Sequence, residues 1–294
     1  MRSLQYAAVT PARNEADFIE KTIQSMIAQT HRPVKWVIVS DGSTDGTDDI
    51  VKGYLDHYPW IQFIRMPERS ERQFAAKVHA FRTGYAQLDS VDFDLVANVD
   101  ADISFESDYF PYIMKQFAKF PELGVAGTAF MEHGKLAYDY RYTNIEHVSG
   151  QCQVFRRECF DDIGGYQPVK GGGIDWIAVT TARMKGWQTR TFTDKYFIHH
   201  RTMGTGSHSA LMAHYKHGQK DYSLGNHPVW QIFRSIYQMA NPPYIIGGAM
   251  LLLGYAVSSV RGAGRPINDE LMTFCRSEQI NRLKTKFGLI RTPS

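Results

Sequence analysis

Four apolar runs of strand length, at 6–10, 36–40, 61–65 and 93–99, are separated by stretches long enough for a helix, and this alternation constrains the fold more than any other feature. Strands alternating with helices at such spacing build a mostly parallel sheet with helices on both faces. The helix predicted over 16–29 places Phe18, Ile19, Ile23, Met26 and Ile27 on one face. Asn14 is its expected cap, with Asp17 as the capping-box carboxylate. Pro11 is expected to stop the first strand. Further helices are predicted from 47 to about 58 and over 70–88, 108–120 and 175–185, with later strands over 124–130, 151–156 and 189–200. The fold class is therefore α/β: a mixed, mostly parallel sheet flanked by helices, followed by a C-terminal helical, membrane-associated region. The predicted organisation is a domain over 1–215, in halves 1–104 and 105–215, and a helical region over 216–294.

In such sheets ligands bind beyond the carboxyl ends of the strands. The run Leu95-Val-Ala-Asn-Val99 ends there in Asp100 and Asp102. Carboxylates at the end of a core strand are costly unless something positive meets them. A hard cation such as Mg²⁺ or Mn²⁺ takes one or two carboxylates together with substrate phosphates. An Asp-x-Asp pair by itself is equally well a solvated turn.

The pair is not by itself. Thr10-Pro-Ala-Arg-Asn-Glu15 follows the first strand, Ser40-Asp-Gly-Ser-Thr-Asp-Gly-Thr47 the second, and Asp175 stands after the glycine run Gly171-Gly-Gly173. This ordered set, spanning about 6–201, resembles family two glycosyltransferases of the GT-A fold. The resemblance implies a metal-dependent, inverting enzyme that moves one sugar from a nucleotide-diphosphate sugar, UDP-linked in most relatives, to a glycan or lipid-linked acceptor. It implies nucleotide contacts from Thr10, Pro11 and Glu15, the base partner at Asp41, the ribose or sugar side at Asp100, the metal ligand at Asp102 and the general base at Asp175. On this reading 1–104 is the nucleotide-sugar half and 105–215 the acceptor half.

Several residues depart from the family's pattern or stay open. Ile174 stands where an acid usually precedes the base, and His79 where relatives often carry Asn. Lys77 and Arg72 could reach phosphate or be merely solvated. His199 or His200, in the run His199-His-Arg201, could complete a Mg²⁺ or Mn²⁺ shell as in some enzymes of this fold, with a basic residue nearby for the diphosphate; ordinary packing explains either histidine as well. Trp176 could stack on an acceptor sugar, or serve as a core aromatic. The alternating Tyr138, Tyr140 and Tyr142 could line an acceptor groove or pack as a strand. Gln231-Ile-Phe-Arg-Ser235 lacks the Trp that closes the signature of processive synthases, so single-sugar transfer is expected.

The formal charge of +3 is too small to point to nucleic acid as partner. Three cysteines without metal spacing, and a start that enters a strand by Tyr6 with no secretory leader pattern, suit a cytoplasmic protein. Residues 242–260 carry no charge, yet basic residues flank them on both sides, which conflicts with a single crossing. The expectation is a segment in one leaflet or in the interface, on the inner face of the plasma membrane, with the basic tail meeting lipid phosphates. The bland alternative is a helix packed on protein, and assembly with identical copies stays open. Two rival functions are a sugar-nucleotide nucleotidyltransferase, whose glycine-rich loop after the first strand is missing, and a non-catalytic, membrane-docked sugar-nucleotide-binding protein.

Overall fold

The computed structural model describes residues 3–68, 74–138, 144–169, 171–201 and 210–289. The chain divides into two compact units: 1–170 with 174–202, and 203–294 with 171–173.

Unit one is built on a single sheet. Its strands are β1 (Tyr6–Ala12), β2 (Lys35–Ser40), β3 (Ile61–Arg65), β4 (Leu95–Val99), β5 (Ile103–Ser104), β6 (Leu123–Glu132), β7 (Lys135–Leu136), β8 (Cys152–Arg156) and β9 (Gln188–His199). They lie in the order β3-β2-β1-β4-β8-β6-β9-β5, with β7 hairpinned onto β6. β3, β2, β1 and β4 are mutually parallel. β8 then enters antiparallel to both β4 and β6, and β9 runs parallel to β6. Two reversals restore direction, so β1, β2, β3, β4, β6 and β9 all point the same way. Their carboxyl ends, and the amino end of β8, therefore open on one edge of the sheet.

The helices are α1 (Ile19–Ile27), α2 (Thr47–Leu55), α3 (Phe74–Tyr85, continued by a 3-10 turn at Ala86–Leu88), α4 (Tyr109–Lys119), α5 (Arg157–Asp162) and α6 (Ile174–Met184). Alternation along β1 decides what packs where. Tyr6 and Ala8 join Ile19, Ile23 and Phe110 in one core cluster, Tyr6 stacking on Phe110 at 4.4 Å between ring centroids. Val9 faces the opposite side, where Gly84 of α3 sits so close that a Cβ there would fall 2.6 Å from the Val9 methyl.

Two local expectations change. β1 continues through Pro11 to Ala12, opposite Val39 and Ser40 of β2. Its pairing with β4 has already ended at Val9, so the missing N–H of Pro11 interrupts no second ladder. Asn14 does not cap α1, which starts at Ile19 with Phe18 at its cap and no side-chain bond there. Asn14 instead adopts a left-handed φ of 55° and turns toward the loop after β2.

Unit two is helical: α7 (Ala210–Ser223), α8 (Pro228–Met239), α9 (Ile245–Val260) and α10 (Asp269–Lys286). His227 and Asn268 cap α8 and α10 by accepting from Val229 and Leu271 N–H. Glycines let α7 and α9 touch backbone to backbone. A Cβ on Gly218 would lie 2.0 Å from the Leu251 carbonyl oxygen, and one on Gly254 2.0 Å from that of Tyr215. Among the described residues no helix is long and apolar enough to cross a membrane.

Candidate active site

The edge on which six strands end gathers the acidic positions. The first contributor is a pair of loops held as one piece. Asn14 N–H donates to Ser43 Oγ (3.1 Å), Thr44 N–H to Asn14 Oδ1 (2.8 Å), Glu15 N–H to Thr47 Oγ1 (2.8 Å) and Ala16 N–H to Asp45 Oδ2 (3.0 Å). Burial opposes the Asp45 charge, but the Thr47 hydroxyl and the surrounding amides outweigh it and hold the carboxyl below its ordinary range. Gly42 at φ +66° makes the turn after β2, since a Cβ there would lie 2.6 Å from Glu68 Cα. Asp41, almost fully buried at the end of β2, pairs with Arg13 at 3.8 Å. Pro11 is half-buried at the adjacent end of β1. Thr10 lies beneath, fully buried, its hydroxyl accepting from the Trp36 indole at 2.9 Å. It braces the loop from below.

The second contributor is the end of β4. Lys77 of α3 forms an ion pair with Asp100 Oδ1 and donates to the Gly150 carbonyl at 3.4 Å. Asn98 Nδ2 donates to the same carbonyl at 2.8 Å. Burial pushes the Asp100 carboxyl up, with Lys77 pulling it back and Asp102 adding to the rise. Asp102 stands one turn on, almost fully buried, with Arg201 Nε at 3.2 Å and His199 Nε2 at 3.4 Å. Burial opposes its charge, but His199 and Arg201 win and hold it below the usual carboxylate range. Arg201 also reaches Glu15, from 186 residues away, and lies over the Phe18 ring at 5.2 Å. Glu15 is pushed up to about 7 by burial and by Asp102, against the pull of Arg201.

His199 and His200 divide. His199 is buried and clamped between two carboxylates, with Nδ1 2.6 Å from Glu132 Oε1 at the end of β6 and Nε2 facing Asp102. Burial disfavours its charge, yet Asp102 and Glu132 hold it above the ordinary imidazole range. His200 turns away, its Nε2 2.9 Å from the Ser104 hydroxyl and its ring parallel to Phe18.

The third contributor is the start of α6. Asp175 packs on Gly150, where a Cβ would lie 2.9 Å from the Asp175 Cβ. The Gly150 carbonyl is the one that Asn98 and Lys77 hold, so a single residue separates Asp175 from the Asp100 ion pair. His147 Nε2 lies 4.0 Å from Asp175 Oδ2, and Trp176 is half-buried beside it. Tyr138 is within electrostatic reach of Asp175 and Glu132; partial burial and those two charges push its phenol up. Arg72, Tyr140, Tyr142 and the stretch 202–207 lie outside the described residues.

The convergence thus joins Glu15, Asp100, Asp102, His199 and Asp175 through Arg201, Lys77 and Gly150, with Asp41 on the neighbouring strand end. Arg13, Glu132 and His147 belong to it without having been anticipated. Glu132 carried the signal that exposed Asp100, an acid closing a buried strand, while nothing in the sequence marked His147. A separate cleft of 610 Å³, lined by Leu4, His31, Pro111 and Arg156 among others, holds none of these residues.

Among the described residues no group of three or more His, Cys, Asp and Glu is arranged to hold a metal ion. Asp102 and His199 still offer an oxygen and a nitrogen 3.4 Å apart. Neighbouring ligands on an octahedral ion with bonds of about 2.1 Å are separated by about 3 Å. Glu132 on the far ring nitrogen matches the carboxylate–histidine pairing that orients metal-binding imidazoles. Asp102 and His199 are thus the pair that would hold Mg²⁺ or Mn²⁺.

Comparison with known proteins gives the family and the fold. The sequence pattern described as glycosyl transferase family 2 matches residues 7–164, more than half of the chain. The chain belongs to that family. Over 111 residues it is 28% identical to poly-beta-1,6-N-acetyl-D-glucosamine synthase of Staphylococcus aureus, a stretch covering 38% of this chain and 25% of that one. The matches reach a quarter or less of the length of these curated relatives. The fold is similar to that of the mannosyltransferase PcManGT from Pyrobaculum calidifontis, solved in complex with GDP-Man and Mn²⁺. The TM-score is 0.59 at 18% identity, over 98% of this chain and 81% of that one. It is also similar to S. aureus TarS 1-349 in complex with UDP-GlcNAc, with a TM-score of 0.55 at 12% identity, over 96% and 81% of the two chains. The sheet is thus the GT-A-like α/β sheet of this family.

Proposed function

We propose that this family 2 chain is a metal-dependent, inverting glycosyltransferase that moves one sugar from a nucleotide-diphosphate donor to a glycan or lipid-linked acceptor, with Asp175 as general base. The observation that carries the reading is the single residue, Gly150, lying between Asp175 and the Lys77–Asp100 pair. A base and a donor-facing carboxylate this close leave room for one reacting centre. Asp41, on the loops that Asn14, Ser43 and Thr47 hold together, faces the base of the nucleotide, with Pro11 and Glu15 lining the same platform. Asp100 faces the ribose or sugar.

In the reaction Asp175 accepts the proton of an acceptor hydroxyl while that oxygen attacks the anomeric carbon from the face opposite the diphosphate. The carbon–oxygen bond to the diphosphate breaks, and the electron pair leaves with it. Lys77 and Arg201 are the protein cations placed to meet that growing charge. Asp102 and His199 would hold Mg²⁺ or Mn²⁺, which supplies further neutralisation of the diphosphate. His147 lies close enough to the Asp175 carboxylate to act on its charge, and Trp176 offers a face to the acceptor sugar.

UDP is the proposed nucleotide, supported by the likeness to a structure holding UDP-GlcNAc; the likeness to one holding GDP-Man makes GDP the competitor. The setting proposed is bacterial surface-polysaccharide synthesis. There unit one acts as the catalytic part, and unit two, which begins at 203 rather than at the expected 216 and so keeps α7 whole, docks peripherally on the inner face of the plasma membrane, presenting a polyprenyl-linked acceptor.

The decisive variant is Asp175→Asn. Removing a general base costs about 10²–10⁴-fold in turnover. Donor affinity, read by titration of UDP-GlcNAc and GDP-Man with Mn²⁺ present, should be unchanged. Equal turnover in the variant and wild type would defeat the assignment.

A further inference from the structure

α8 is built inside out. Gln231 and Ser235, four residues apart, are fully buried, and among the described residues their side-chain polar atoms meet no hydrogen-bond partner. The opposite positions carry the aliphatic residues, with Val229, Ile232 and Ile236 exposed at 52%, 49% and 60%. A helix on a water-facing surface arranges these classes the other way round. α9 repeats the pattern. Its glycines, Gly247, Gly248 and Gly254, are packed inward, and Ile245 and Ile246 stand out at 68% and 58%. An aliphatic face in this position is stable only if its outer neighbour is itself apolar.

Charge selects that neighbour. Residues 203–294 carry ten Lys and Arg against four Asp and Glu, a net +6, while the chain as a whole is +3. Lys286, at the end of α10, lies 5.2 Å over the Phe233 ring and 5.9 Å over that of Tyr237, so a cation borders the aliphatic row of α8. Exposed Phe287 meets Phe233 edge-on at 6.1 Å and extends the row. A second copy would bring the same positive charge against itself. An anionic lipid surface satisfies both the aliphatic row and the cations. With 16 residues, α9 spans about 24 Å at 1.5 Å per residue, short of the roughly 30 Å hydrocarbon layer, so at a bilayer it would lie along the interface rather than cross.

We infer that Val229, Ile232 and Ile236 of α8, with Ile245 and Ile246 of α9 and Lys286 at the rim, form a seat for an anionic lipid membrane. The inference rests on the peripheral-membrane reading above and deepens it by assigning α8, outside the uncharged 242–260 segment, as the principal contact.

The test is flotation of the full chain with vesicles of phosphatidylcholine alone or mixed in equal parts with phosphatidylglycerol. Wild type should float with the mixed vesicles. Ile232→Ser combined with Ile236→Ser should lower that partition at least about tenfold, the order expected for withdrawing two isoleucine side chains from lipid. Lys286→Glu should lower the preference for phosphatidylglycerol several-fold. Both sites are exposed, so near-UV circular dichroism should be unchanged; Ile246→Ser on α9 serves as an independent variant if it is not. If wild type floats and all these variants float equally, the seat is wrong while peripheral docking stands. If wild type floats with neither vesicle, both readings fall. If the isoleucine variants instead turn a dimer into a monomer by light scattering, the face joins two copies and the lipid seat is overturned.

Discussion

Glu15→Gln should flatten the pH dependence of the stability of unit one. The Glu15 carboxyl moves from 4.5 to about 7 on folding, driven by burial and by Asp102 and opposed by Arg201. A shift of about 2.5 units, at about 1.36 kcal/mol each, amounts to about 3 kcal/mol. A carboxyl whose folded value lies above its unfolded one holds its proton more tightly in the native state. Its contribution is therefore complete below the unfolded value and disappears as pH rises through about 7. Glutamine has no proton to lose. The stability of wild type minus that of the variant should fall by about 3 kcal/mol between about pH 4.5 and about pH 8. Trp36, Trp60, Trp176 and Trp187 lie in unit one and only Trp230 in unit two, so urea unfolding followed by tryptophan fluorescence reports chiefly the unit in question. A difference constant to within about 0.5 kcal/mol across that range would refute the argument that Asp102 and burial dominate over Arg201.

Glu132→Gln should weaken Mn²⁺ binding about 10–100-fold by loosening His199, measured by electron paramagnetic resonance titration with UDP present; unchanged affinity would reduce Glu132 to packing. Gly42→Ala should destabilise unit one by about 1–3 kcal/mol, because a left-handed backbone position and a Cβ 2.6 Å from Glu68 Cα compound each other; thermal unfolding reads it. Gly254→Leu should force α7 and α9 apart, with loss of helical signal from unit two in hydrogen exchange, since its Cβ alone would fall 2.0 Å from the Tyr215 carbonyl oxygen.

Much of the first half of the sheet was legible because its signal is local. β3 matches the 61–65 run residue for residue, and β2 and β4 differ from their runs by one or two positions. What eluded sequence reasoning depends on partners distant along the chain. Asn14 has the credentials of a cap, and Ser43 and Thr44, 29 and 30 residues on, outbid the helix for its backbone and side chain. Pro11 reads as a stop until the early end of the β4 ladder removes the reason. At the candidate site the acids at strand ends could be found by the rule that charge should not close a buried run. Their pairing with Arg201, Lys77 and His199 could not, because no periodicity connects Glu15 to a residue 186 positions later. Thr10 illustrates the converse. It belongs to the right loop by sequence, and the pleat directs its hydroxyl under the sheet to Trp36.

The four hydrogen bonds that fasten the loop after β1 to the loop after β2 have a thermodynamic corollary. Ordering those residues is largely settled when the chain folds, so under the proposed function a nucleotide arriving at Asp41 would leave them little conformational freedom to surrender. Cutting one staple, as Asn14→Ala would, should therefore appear in the entropy of nucleotide association rather than in its enthalpy, and in a slower arrival rather than a faster departure.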